Sequence, residues 1–404
     1  MIRTRRGAAD PGLRRAALAT ALVFAMNGFL LGSWVARLPA TRDRLGASAA
    51  ELGLALLAPG VGSLLSMPFS GRWCRRFGSR RVVAATTVAA SAGLVVLAVV
   101  PTLVALGLAL FAWGACYGSW DVAMNVHGSV VEQRAGREWM PRYHACWSVG
   151  GIAGAAGGAL AAATGTPLAL HFAAVAGACV LAVGLALRHF VEDRAEVATA
   201  AQHPGPRPGR RRVLTGRLLL VGLVTICATT LEGAAADWLA LFLTDERGAA
   251  ESLAAAGYAV FAVAMAAGRF SGTAVSERLG RHGAVRVGGL VSFAGVLLTV
   301  LGPGLASAYL GAALWALGVC LVFPAAVSAG GETPGRPADA IAAVTTIGYG
   351  GFLLGPPLIG LLADQVGLGR ALLVLLVLAG GIAALAPAVR SRRPGPSPVP
   401  ARPS

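Results

Sequence analysis

The chain has 404 residues, 56% of them hydrophobic before its 55 glycines are counted, and only 13% charged. An average soluble domain carries roughly 25% charged residues, so a soluble protein of this size could not cover its surface, and the composition points to a lipid bilayer. The formal net charge of +16, from 34 basic residues (all arginine) against 18 acidic ones, would suit nucleic acid only if the arginines clustered on one folded surface. Here they stand in short runs between apolar segments, which removes that class.

In chain order, the apolar windows predict spans at 16–36, 51–70, 82–100, 103–127, 144–164, 168–188, 217–241, 252–272, 285–302, 305–329, 339–362 and 370–389. Twelve stretches of ~20 residues suffice to cross a ~30 Å hydrocarbon core twelve times. The first follows Arg14 and Arg15 and is too long for the apolar region of a signal peptide, with no small-residue cleavage site after it, so it is expected to be retained. Placing the N-terminus in the cytoplasm puts 29 arginines inside and 5 outside (Arg37, Arg42, Arg44, Arg247, Arg370). Positive charge near span ends resists translocation, so both termini are expected inside. Six cysteines show no CxxC spacing and no histidine grouping, as expected of small buried apolar residues rather than metal ligands or disulfides.

Residues 191–216 break the pattern with charges, a Pro/Gly-rich stretch and three consecutive arginines, a composition suited to a solvated cytoplasmic linker. The sequence on either side repeats. Asn27-Gly28 with Trp34, then Gly71-Arg72 and Arg75-Arg76-Phe77-Gly78, has its echo in Glu232-Gly233 with Trp238, then Gly268-Arg269 and Glu277-Arg278-Leu279-Gly280. The expected architecture is an all-α membrane protein of twelve transmembrane helices in two pseudo-symmetric six-helix bundles (1–190 and 217–390), with the linker at 191–216 and a disordered cytoplasmic tail at 391–404.

At these residues the chain resembles the major facilitator superfamily. Gly71-Arg72-Trp73-Cys74-Arg75-Arg76-Phe77-Gly78-Ser79-Arg80-Arg81 is similar to that superfamily's signature between helices two and three. The usual acid of this loop is Arg75 here, so the acid–base latch that the resemblance implies must be built differently. Asn27-Gly28 with Ser33-Trp34, Asp121-Val122-Ala123-Met124-Asn125, Gly136-Arg137 with Met140 and His144-Ala145, and Ala236-Asp237-Trp238 resemble the bacterial branch near the fucose permeases. That resemblance implies a fourth-helix carboxylate in proton coupling.

The residues carry a reading of their own. An ionised Asp at the bilayer centre costs about 2.5–3.5 kcal/mol on insertion scales. Asp121 lies ~17 Å from Glu132 at the inner end of helix four, with Asn125 one turn away on the same face. An acid at that depth can carry a proton when a wet path reaches it from alternate sides; an Asp capped by Asn125 for structural reasons is the competing reading. Glu232 in helix seven lies ~22 Å from Arg217, again inside the membrane. Asn27 holds the matching position in the first half, and Asp237 follows Glu232 toward the outer face. Trp34 and Trp238 fit solute stacking or, as the commoner role, interfacial anchoring. Tyr349 is a cavity candidate by position alone. His127 and His144 are expected to be exposed near an interface. Arg75, Arg76 and Glu132, with Glu277, Arg278 and Glu332, gather at the inner helix ends and are expected to pair between the halves as a gate. The Gly150-Gly151, Gly154 and Gly157-Gly158 series, and Gly350-Gly351, Gly355 and Gly360, fit close helix packing in lipid rather than nucleotide binding.

The function these features predict is secondary active transport of a small polar, sugar-like or other metabolite across the bacterial inner membrane. Alternating access with a proton as coupling ion, as symport, is the expected mechanism. Proton-driven export of an amphipathic compound, or a sensor or scaffold that transports nothing, are the alternatives. The expected partners are the solute, the proton and the bilayer, with a monomer as the working unit. No enzymatic activity, cofactor, metal or nucleic acid is expected.

Overall fold

A computed structural model of the chain describes residues 11–136, 139–194, 215–333 and 337–391. The expected linker at 195–214, Arg137, Arg336 and the expected tail beyond residue 391 lie outside the described residues. Twelve helices long and apolar enough to cross a membrane are present among the described residues. In chain order they are Pro11–Val35, Ala49–Phe77, Ser79–Leu97, Leu103–Ala135, Arg142–Ala163, Leu168–His189, Gly216–Asp245, Glu251–Phe270, Ala274–Leu301, Gly304–Gly331, Ala343–Val366 and Leu368–Val389. They are called the first to twelfth spans below.

The packing repeats between the two halves. The first span packs on the fifth as the seventh does on the eleventh, the second on the fourth as the eighth does on the tenth, and the third on the sixth as the ninth does on the twelfth. Small residues permit these approaches. A Cβ at Gly28 would overlap the Trp147 carbonyl oxygen, and one at Gly150 would overlap that of Ala25, so the first and fifth spans touch backbone to backbone. With lipid on the outside there is no water to drive helices together, and such close packing supplies much of the association energy.

Gly78 (φ 80°, ψ 151°) separates the second and third spans, and Gly280 (φ 66°, ψ 161°) kinks the helix Gly272–Leu301 at the equivalent place in the second half. Positive φ with extended ψ is a backbone state open essentially to glycine alone. The second of these breaks corrects the predicted boundary of the eighth span at residue 272. Ser271 N–H donates to Ala267 O at 3.1 Å and Val275 N–H to Ser271 O at 3.1 Å, so the helical path runs on past Phe270 and turns only at Gly280. Arg269, counted from the sequence as a charge of the inner loop, therefore lies ~16 Å along the helix from that turn, inside the membrane. The remaining arginine-rich loops share one face of the molecule, called the basic face here.

Three aromatic positions also depart from expectation. Trp34 and Trp238 are 3% and 0% exposed, so they fill the bundle interior and do not anchor at an interface. His127 is likewise buried, whereas His144 is exposed as predicted.

Candidate functional site

The halves meet through the second and eleventh spans and through the fifth and eighth. Among the described residues, every hydrogen bond and ion pair between them lies at the face opposite the basic one. Arg37 pairs with Glu251 at 2.7 Å. Arg42 forms a bidentate pair with Asp245, one arm at 2.7 Å, and this carboxylate holds the Arg42 guanidinium well above its ordinary range. Asp364, from the eleventh span, accepts from Ser48 Oγ at 2.9 Å and from Ala50 N–H at 3.0 Å. It thereby caps the second span across the domain boundary, where free N–H groups favour a negative charge. Gly53 and Gly360 close the same seam, since a Cβ on either would crowd the carbonyls of Pro356 and Ala49. The cleft between the halves is thus sealed at one face.

That seal yields a first prediction. Exposed ion pairs contribute about 0–1 kcal/mol each, and Arg37, at 4% exposure, sits at the upper end. Replacing both Arg37 and Arg42 by Ala should weaken closure by about 1–2 kcal/mol, a factor of roughly 5–30 in the closed-to-open ratio. Spin labels on Ala47→Cys and Val366→Cys, in a background without the six natural cysteines, should report a larger population of long distances.

Toward the middle of the bilayer the cleft gathers polar groups from both halves. Asn125 Nδ2 donates to the Asp121 carbonyl at 2.9 Å and approaches its carboxylate at 3.3 Å. Trp147 Nε1 donates to Asn27 Oδ1 at 3.0 Å and to Tyr117 Oη at 3.3 Å, which ties the first, fourth and fifth spans together. Tyr117 in turn stacks on Trp113 with ring centroids 5.2 Å apart. From the second half, Tyr349 on the eleventh span is 41% exposed. Tyr258, on the eighth span, is half-buried and stacks on Phe261 with ring centroids 6.4 Å apart.

Glu232 and Arg269 form the charged centre of this region, with Arg269 Nη2 to Glu232 Oε1 at 2.9 Å and side-chain exposures of 34% and 27% for Arg269 and Glu232. The pair joins the seventh and eighth spans within one half. An intramembrane arginine is expensive unless it is paired, and this one is paired with Glu232. Asp237 is half-buried and accepts no hydrogen bond from any described residue. The sequence reading named Asp121, Asn125, Asn27 and Glu232 as site candidates and omitted Arg269, Tyr117, Tyr258 and Trp147. Arg269 alone carried a usable signal, as the partner that a membrane-buried Glu232 demands.

Pairing of the gate residues between the halves is expected of the form that opens outward, and in the form described here Glu132 and Glu332 have partners within their own halves. Glu132 accepts from Trp139 N–H and Met140 N–H at 2.6 and 2.8 Å, and Glu332 pairs with Arg281 at 2.6 Å. Both contacts stay inside one half. Arg76, Glu277 and Arg278 are exposed, and Arg75 is half-buried. The acid missing from the loop between the second and third spans comes from elsewhere: Asp193 accepts from Ser79 N–H at 3.1 Å and from the Ser79 hydroxyl. Burial pushes the Asp193 carboxyl up from its ordinary value, against the pull of those Ser79 bonds. Beside it, Val191 N–H donates to His127 Nε2 at 3.2 Å, which leaves Nδ1–H for Thr20 Oγ1 at 3.0 Å, and the imidazole stacks on Phe190. The segment leaving the sixth span is thereby clasped to the first half.

The model of the Major Facilitator Superfamily matches residues 16–356. An uncharacterized transporter, y4wD, of Sinorhizobium fredii is 36% identical over 368 residues, spanning 91% of this chain and 96% of that protein. An uncharacterized MFS-type transporter of Yersinia pestis is 34% identical over 384 residues, spanning 94% and 97%. The fold is similar to the crystal structure of a bacterial homologue of the human lysosomal transporter Spinster in its inward-facing, unoccupied conformation. There the TM-score is 0.77 at 14% identity, covering 96% of this chain and all of that one. With twelve spans in two matching halves, a polar centre between them and relatives of this length and likeness, the chain belongs to the major facilitator superfamily of membrane transporters.

Proposed function

We infer that the protein is a proton-coupled secondary transporter of a small polar solute, working by alternating access in the bacterial inner membrane. The observation that carries this reading is the placement of Asp121 and the Glu232–Arg269 pair at mid-depth, on facing halves of a cleft sealed at one face only. A cleft that exposes ionisable groups to one side at a time is what coupling requires. The arginine bias makes the basic face cytoplasmic, so the form described here is the inward-facing one. Asp121 is the proton-carrying group, and Asn27, Asn125 and the tyrosines supply hydrogen bonds to the solute. Arg75, Arg76, Glu277 and Arg278 stand on the cytoplasmic lips and are available to close that face in the alternate form.

The test is uptake into proteoliposomes of labelled sugars, polyols and amines under an inward proton gradient, with a gradient-free control. Accumulation of a panel member that collapses when the gradient is dissipated is expected. Net efflux, or no response across the panel, overturns the proposal.

A further inference from the structure

The central cleft holds more negative charge than its protein partners compensate. Among the described residues Glu232 is matched by Arg269. Asp121 has only the Asn125 amide for its carboxylate, at 3.3 Å, and Asp237 has no hydrogen-bond donor. A carboxylate in a low-dielectric site must take up a proton or gain a cation. The transport reading assigns the proton to Asp121, which leaves Asp237 in need of a partner.

The surroundings of Asp237 decide what that partner is. The residue lies ~12 Å along the seventh span from Asp245 at the sealed face, so it stands at the closed end of the cleft, beneath the Arg42–Asp245 pair. The seventh span is the most enclosed of the twelve, yet Asp237 keeps partial exposure. Asp237 lies one turn from Gly233 on the same side of the helix, the side that meets Phe352 of the eleventh span, which itself packs on the other half, so the acid is turned toward the seam between the halves rather than toward lipid. A neutral solute would leave this carboxylate unmatched, and an anionic one would meet repulsion from it and from Asp121. A cation would be matched by the carboxylate.

We propose that the solute carries a protonated amine, received by the unpaired Asp237 carboxylate. This rests on the transport function proposed above and narrows its substrate class to amines bearing hydroxyl groups. Asp237 is a binding residue in this arrangement, kept at some expense of stability, because in the empty protein its charge has no counterpart.

The test uses two sets of probes matched in skeleton and differing in charge: glucosamine, glucose and glucuronate, and ethanolamine, ethylene glycol and glycolate. Binding to the purified full-length protein is followed by thermal shift and by quenching of tryptophan fluorescence. In at least one set the amine is expected to bind about tenfold or more tighter than its neutral and anionic analogues, and Asp237→Asn should erase that preference. Asp237→Asn should also raise the melting temperature of the ligand-free protein by about 2 °C, a readout independent of any probe. Equal or tighter binding of the neutral or anionic members, no binding of either amine, or a lowered melting temperature in Asp237→Asn each overturns the inference. The two proposals fail differently. Amine transport that ignores the proton gradient would remove proton coupling and keep this assignment, whereas proton-driven uptake of glucose or glycolate would do the reverse.

Discussion

Asp121→Asn should abolish proton-driven accumulation while leaving solute counterflow intact. The asparagine keeps the shape of the carboxylate and can still meet Asn125 one turn away, so helix packing in the fourth span is undisturbed. It cannot carry a proton. For one proton per solute, a gradient of one pH unit is worth 1.36 kcal/mol, or tenfold accumulation at most. In the variant the inside-to-outside ratio should fall to one whatever the imposed gradient. Counterflow, in which labelled solute exchanges against unlabelled solute already inside, needs only reorientation of the loaded cleft and should continue. Proteoliposomes measured in both modes separate the roles: loss of counterflow together with accumulation would assign Asp121 to solute binding.

The second large effect is expected on stability. Glu232→Gln removes the charge that matches Arg269, and truncating one partner of a buried ion pair costs about 3–5 kcal/mol because the other charge is left alone. Both side chains here are a quarter to a third exposed to the cleft, which lowers the expectation to about 1–3 kcal/mol after screening. Glu232→Gln combined with Arg269→Gln should recover most of that loss, since two neutral amides can share the site, without recovering transport. Four of the six free cysteines, Cys74, Cys179, Cys227 and Cys320, are buried, so a thiol-reactive dye that reports their exposure on heating would measure all three proteins. If the double variant were no more stable than the single one, the pair would owe its place to something other than mutual compensation.

Much of the fold was legible because apolar length and arginine placement are strong constraints in lipid. The twelve spans and the midpoint repeat could both be read from residue spacing. Asp121 and Asn125 were legible as a pair because an interval of four residues is one helical turn. The seal between the halves was not. Arg37 and Arg42 read as ordinary loop charges, since nothing local distinguishes them, and their partners Glu251 and Asp245 stand some two hundred residues away. Arg269 was misplaced for a related reason. An arginine beside Phe270 and Ser271 ends an apolar window, although hydrogen bonding carries the helix past it. Glu132 and Glu332 read as gate charges for the form that opens outward; in the form described here Glu132 accepts from Trp139 and Met140 N–H and Glu332 pairs with Arg281. The two tryptophans show the limit of positional rules: belt residues and core residues look alike until neighbouring helices are placed.

The clasp formed by Asp193 and His127 bears on how the protein could be divided. Its contacts run from the end of the sixth span back to Ser79, Thr20 and the fourth span, so the amino-terminal bundle carries its own fastening for the strand that leaves it. A gene split after residue 194 would leave the amino-terminal polypeptide with every contact of this clasp. A split just before Phe190 would strip the cap from Ser79 and leave an imidazole inside the first bundle with an idle ring nitrogen. The junction between the bundles is therefore not interchangeable along its length, and its first few residues belong to the amino-terminal one.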